Sequence, residues 1–146
     1  MEKLCKEMLQ AGVNRESTVH VKGGGMLLDL CGFVCSIYMR GVKKVIFEPT
    51  TLLAIVDATV GGKNGINFEG GKNMLGVVNH PDEIHINLKF LESLDDRNFS
   101  NGLAEVIKMA ITHDTELFSL LEHPSTSLHS LRSNKKQLKE IIKRSL

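Results

Sequence analysis

Two rhythms of apolar and polar residues alternate along this chain. Leu4, Met8 and Ala11 recur at helical spacing, which predicts a short helix over residues 2–11, ended by Gly12. Thr18 to Val21 alternates with β-branched residues and predicts a strand. Gly23, Gly24 and Gly25 follow at once, and the mostly apolar stretch from Leu27 to Met39 predicts a buried helix. Val42 to Phe47 predicts a second strand, stopped by Pro49, and Leu52 to Val60 an apolar helix. From Gly61 to Gly76 the rhythm breaks: six glycines and three asparagines surround Lys63 and Lys72. That composition predicts a loop whose glycines have a conformational or functional reason.

Beyond it, Glu83 to Asn87 predicts a third strand and Phe90 to Leu94 a short turn or helix. Leu103 to Ile111 and Glu116 to Leu121 predict helices, Ser125 to Ser133 a polar break, and Asn134 to Leu146 a last helix with Leu138, Ile141 and Ile142 on one face. The basic residues of that helix read as a solvated face. The fold class is α/β over residues 1–94, followed by an all-helical segment over 95–146, with a boundary near Leu94. The last helix reaches Leu146 with no capping glycine or proline, and the expectation is a chain cut at that point.

Composition narrows the function classes. The 146 residues carry a formal net charge of +1, which argues against a general nucleic-acid binder. The segment Met1 to Gln10 lacks a signal-peptide core, and no run approaches a membrane span, so the expectation is a cytoplasmic protein with no membrane partner. Cys5, Cys31 and Cys35 are odd in number and form no Cys-x-x-Cys pair; they read as small core residues in a reducing compartment.

The strand–Gly23-Gly24-Gly25–helix order permits either a plain tight turn or a pyrophosphate cradle at a helix N-terminus, with Asp29 in the first helical turn. Gly61-Gly62-Lys63 fails as a P-loop, because Asp57 holds the first glycine position and Asn64 the Ser/Thr position. Asp57, Lys63, Lys72 and Asn73 read either as exposed loop charges or as a site for a polyhydroxy, anionic ligand. Glu105 and Lys108 stand three apart, which reads either as a surface ion pair or, since their helical neighbours are nearly all apolar, as a buried pair in which Glu105 needs a cation, a hydrogen-bond partner or a metal. The six histidines show no zinc spacing.

These residues stand in the order of a known family. GGGMLLDLCGFVCSIYMRGV (23–42), PTTLLAIVDATVGGKNGIN (49–67), GKNMLG (71–76) and NGLAEVIKMAI (101–111) together resemble the central part of the dehydroquinate synthase family of sugar-phosphate cyclases. The resemblance implies a partial Rossmann-like NAD-binding domain plus the start of a helical metal-binding domain. It implies that Gly24, Gly25, Met26, Asp29, Thr50, Thr51, Phe90 and Ser93 meet NAD, with Ser93 standing where the family usually has Thr. Asp57, Lys63, Lys108 and Asn101 take catalytic roles by the same resemblance, and Arg40, Lys72 and Asn73 hold a small anionic sugar-phosphate substrate, Arg40 across a homodimer interface. Glu105 is implied as one of three ligands to zinc or another divalent metal.

Departures accompany it. Family members are more than twice as long, no residue here matches the two histidine ligands, and Leu28 replaces a usual small residue beside the pyrophosphate. Three readings stand: a cyclase of the seven-carbon keto-acid phosphate DAHP in the shikimate pathway, a sedoheptulose-phosphate cyclase of the valiolone type, or an inactive remnant or partner-dependent chain.

Overall fold

The computed structural model describes residues 1–124 and 126–146. An amphipathic helix α1 (Glu2–Gln10) leads into strand β1 (Thr18–Gly23), helix α2 (Gly25–Ile37) and strand β2 (Lys44–Pro49). β1 and β2 pair in parallel, with Val19 opposite Val45 and Val21 opposite Phe47. The alternation of β1 sends Val19 and Val21 to one face and His20 and Lys22 to the other. The apolar face meets α2, where Leu28, Val34 and Cys35 pack with Val21, Val45, Phe47 and Met8. Fully burying side chains such as Phe47 and Leu28 stabilises by roughly 1.5–3 kcal/mol each. The opposite face is charged, with Lys22 paired to Glu48 at 3.1 Å and Lys44 paired to Glu83.

The expected parallel sheet is present, with the short strand β5 (Glu83–Ile84) beside β2 in the order β1-β2-β5, and with Gly23 to Gly25 at the strand-to-helix turn. Its third member is shorter than predicted. The predicted glycine-rich loop is instead an antiparallel hairpin, β3 (Lys63–Phe68) and β4 (Gly71–Val78). The glycines serve that pairing. Glu69 and Gly70 take φ of 47° and 78° at the tip, the left-handed pair of a two-residue hairpin turn.

Leu52 to Val60 is helical but ends in a π-turn at Ala54–Ala58, where the Thr59 amide reaches back to the Ala54 carbonyl at 3.1 Å. A 3-10 turn, Leu88–Leu91, leads to α3 (Asp96–His113), α4 (Thr115–Glu122), α5 (Leu128–Ser133) and α6 (Lys135–Ser145). Ser125 lies outside the described residues. The rest of the predicted polar break contains α5, nucleated by a reciprocal capping box between Ser127 and Ser130. The helical core gathers Phe99, Val106, Leu117, Leu138, Ile141 and Ile142, and it reaches back to Leu52, Ile55 and Val56. Asp114 caps α4 and receives a forked Arg144 guanidinium from α6 at 2.9 and 3.0 Å. Among the described residues no helix is long and apolar enough to cross a membrane.

The reading in which α3 is buried all round is corrected. Gly102, Val106 and Ala110 are buried, whereas Ile107 and Ile111 are exposed. α3 is a one-sided helix, so Glu105 sits at the margin of its buried face with its side chain 29% exposed.

Candidate functional site

The site is assembled where the sheet's C-terminal ends, the π-turn and the hairpin meet. β1 ends at Gly23, Gly24 continues extended with ψ 174°, and α2 opens at Gly25. No side chain among the described residues caps this N-terminus, so the first amides of a 13-residue helix stay available to an anion. The turn is braced by the Thr50 amide, which donates to the Gly23 carbonyl at 2.9 Å. The Thr51 hydroxyl accepts from the Ala54 amide at 3.2 Å and opens the next helix. A Cβ on Gly24 would come within 3.3 Å of the Thr51 methyl, so the two segments approach as glycine allows.

Two cavities flank this turn. The larger, about 540 Å³, is lined by Asp29 from α2, Asp57 from the π-turn, Lys63 and Asn64 from β3, and Asn73 from β4. The smaller, about 280 Å³, is lined by Gly24, Gly25, Met26, Thr51, Asn98 and Asn101. π-Turns recur at functional sites, and here the extra residue brings Asp57 to the end of an otherwise buried segment. Asn73 holds a φ of 55°, fixed by its amide donating to the Asn67 side chain at 3.0 Å across the hairpin. Burial pushes the Asp29 carboxyl above the ordinary aspartate range, and the charge of Asp57 pushes it the same way.

The sequence-derived residues therefore separate into groups. Asp57, Lys63 and Asn73 meet in the larger cavity, together with Asp29, which was assigned to the nucleotide. Gly24, Gly25, Met26 and Thr51 meet in the smaller one, together with Asn101, which was assigned to catalysis. Glu105 and Lys108 form an ion pair on α3 outside both linings. The bond to Glu105 and its charge raise the Lys108 ammonium pKa, and the Asp57 carboxylate adds to the effect. Lys72 and Arg40 are exposed and line neither cavity; Arg40 projects from a turn with φ 71°. Phe90 lies 4.7 Å beneath the Lys22 ammonium, and the Ser93 hydroxyl donates to the Phe90 carbonyl at 3.4 Å. Leu28 packs wholly in the core. Sequence reasoning missed Asn64 and Asn98 as lining residues; the one signal for Asn64 was its place beside Lys63.

The fit to cofactors differs. The open helix N-terminus and glycine turn fit a dinucleotide pyrophosphate. Among the described residues no group of three His, Cys, Asp or Glu could hold a metal, so they do not complete a zinc site; Glu105 offers a single carboxylate, already paired with Lys108.

The 3-dehydroquinate synthase N-terminal family model matches residues 1–101. Over 144 residues the chain is 44% identical to a 3-dehydroquinate synthase of Dictyoglomus thermophilum, covering 99% of this chain and 40% of that protein. Over 118 residues it is 47% identical to the Endomicrobium trichonymphae protein of the same name, covering 81% and 32% respectively. Among solved structures, a 2-epi-5-epi-valiolone synthase from Streptomyces hygroscopicus with NAD+ and Zn2+ bound matches with a TM-score of 0.91 and 37% identity, over 98% of this chain and 40% of that one. A 2-deoxy-scyllo-inosose synthase matches with a TM-score of 0.79 and 26% identity, over 99% and 39%. The chain thus spans about 40% of the length of the Dictyoglomus thermophilum relative and of the valiolone synthase.

Proposed function

This chain belongs to the 3-dehydroquinate synthase family, and from that premise we propose that it contributes part of the active site of an NAD- and divalent-metal-dependent cyclase of DAHP. In this reading residues 1–94 belong to the nucleotide-binding domain and residues 95–146 to the helical domain of a cytoplasmic, homodimeric lyase that releases phosphate. The amides of Gly24, Gly25 and Met26 bind the NAD pyrophosphate, and Asp29, Thr50, Thr51, Phe90 and Ser93 surround the rest of the cofactor. When bound, the cofactor would supply reversible hydride chemistry at a ring carbinol. Asp57 and Asn73 orient substrate hydroxyls, Lys63 and Lys72 hold the anionic groups, and Arg40 serves the phosphate from a partner copy. Asn101 and Lys108 complete the polar surround, and Glu105 is one donor to a metal whose other ligands come from outside this chain.

The observation that carries this reading is the cavity in which Asp57, Lys63 and Asn73 meet beside the glycine turn. Asp57, Lys63 and Asn73 converge there from three elements, with Asp29 as a second carboxylate; carboxylates that accept from hydroxyls, beside an ammonium that takes the anionic group, suit a polyhydroxy anion. The test supplies this chain with the remaining segments of the Dictyoglomus thermophilum relative and measures phosphate release from DAHP with NAD and Zn2+. NAD-dependent release that is lost in Lys63→Ala supports the reading; no release from the reconstituted protein overturns it. A second reading, cyclisation of sedoheptulose phosphate, is favoured by the 0.91 TM-score to the valiolone synthase. Release from that substrate and not from DAHP would select it.

A further inference from the structure

We infer that Asn64 is the positioning residue of the larger cavity: its buried amide clamps the open end of the β3–β4 hairpin and so fixes Lys63 and the Gly61–Gly62 bend in place. The inference rests on the proposed function only for what Lys63 then binds.

Asn64 is 4% exposed, an unusual depth for an asparagine in a hairpin whose neighbours face solvent. Its Nδ2 donates to the Gly62 carbonyl at 3.1 Å and to the Asn79 carbonyl at 2.6 Å. Those carbonyls lie just before β3 and just after β4, so one amide joins both ends of the hairpin. The Asn79 backbone amide donates to the same Gly62 carbonyl at 2.7 Å, which closes the ring of bonds. Gly62 itself holds a φ of 62°, and the His80 ring fills the space where its Cβ would lie, at 2.8 Å. Gly61 and Lys63, on either side of that bend, both line the cavity.

The other end of the amide is lodged against α2. Asn64 Oδ1 is buried and finds no hydrogen-bond partner among the described residues. It presses on Gly32, where an added Cβ would collide with it and with the Phe47 ring. Oδ1 is therefore closed to ligand, and the side chain acts through its neighbours. A buried acceptor left unpaired is costly, and the two donated bonds and the Gly32 notch hold the amide in place against that cost. Reversing the polarity of the nitrogen end would set like dipoles face to face, whereas shortening the side chain would merely remove the clamp.

Three variants of the full chain separate these roles. Asn64→Asp keeps the shape but turns a carboxylate oxygen toward two carbonyls, Asn64→Ala removes the clamp, and Gly32→Ala evicts the side chain. Hydrogen exchange on the free protein should show the Asn79 amide exchanging about tenfold faster in Asn64→Ala and faster still in Asn64→Asp at pH 8. Below the pKa of the introduced carboxyl, Asn64→Asp should regain protection beyond the intrinsic pH effect, because a protonated carboxyl donates again. Gly32→Ala should match Asn64→Ala at Asn79. Calorimetric titration with DAHP should show each variant binding about tenfold more weakly than the parent chain. Wild-type protection at Asn79 in Asn64→Asp at both pH values, or an Asn64→Ala profile identical to the parent, overturns the clamp. The exchange result stands apart from the proposed substrate: it upholds or overturns the clamp whether or not the chain alone binds DAHP.

Discussion

Replacing Gly102 by alanine tests how the helical half is seated on the α/β half. Gly102 is buried on α3, and a Cβ there would lie 2.6 Å from the Leu52 Cβ and 2.6 Å from the Leu53 amide nitrogen. Neither atom can escape by a rotamer change, because one is backbone and the other is fixed to it. Alanine in a helix interior is favoured over glycine by about 1 kcal/mol. Overpacking that forces backbone displacement costs about 1–3 kcal/mol, and the backbone contact places this case at the upper end. The net expectation is a loss of about 1–2 kcal/mol, or a fall in Tm of about 3–8 °C for a chain of this size. α3 carries Asn98 and Asn101 into the smaller cavity, so the same displacement should weaken NAD binding. Urea unfolding followed by circular dichroism, with calorimetric NAD titration alongside, gives both quantities. The sign decides the matter: a Gly102→Ala protein more stable than its parent would behave as an open helix position does, and α3 would not be docked on Leu52 and Leu53.

Further expectations follow from charge and burial. Because burial and Asp57 raise the Asp29 pKa in the folded protein, the native state takes up its proton more readily than the unfolded chain. The charged form therefore costs stability above the folded pKa, and the cost fades as pH falls through it toward the ordinary value. Asp29→Asn should raise Tm at pH 7 and converge with the parent below about pH 4. Arg144 holds the Asp114 carboxyl below the ordinary range, with the α4 amides assisting. Asp114→Asn should lower Tm at neutral pH, and the gap should close as pH falls through the depressed native value. Burial pushes the Cys35 thiol up to about 11, and Cys31 is raised by the same cause. Iodoacetamide at pH 8 should then label Cys5 first and Cys35 slowest, with a Cys35 thiolate fraction of about one in a thousand; early labelling of Cys35 by mass spectrometry would refute its burial. Residues 1–146 alone should release no phosphate from DAHP and should retain less than one zinc per chain after dialysis, since Glu105 is the single donor assigned; steady turnover would refute this.

What could be read from the sequence was whatever rests on local pattern. Val19 and Val21 alternate, Gly23 to Gly25 interrupt, and Leu28 to Cys35 repeat at helical spacing, so the strand, turn and helix follow from residues that are neighbours in the chain. The hairpin was hidden because its evidence is pairwise. Gly65 and Gly76 are individually loop-forming, and only their opposition across the ladder makes them strand residues. Asn64 was illegible for a related reason. Polar residues in a glycine-rich stretch are ordinarily solvated, and nothing local says that Gly32, half the domain away, leaves a notch for this one. Glu105 shows the opposite error: apolar neighbours on every side predicted burial, but Ile107 and Ile111 remain open to solvent. At about 100° per residue Ile107 and Ile111 lie roughly 200° and 240° around α3 from Glu105, so this apolar surface and the Glu105–Lys108 pair stand on opposite margins of the buried face. The residues that misled the burial prediction therefore say nothing of the surroundings of Glu105, whose partial exposure follows from its own place at the margin of the buried face of α3.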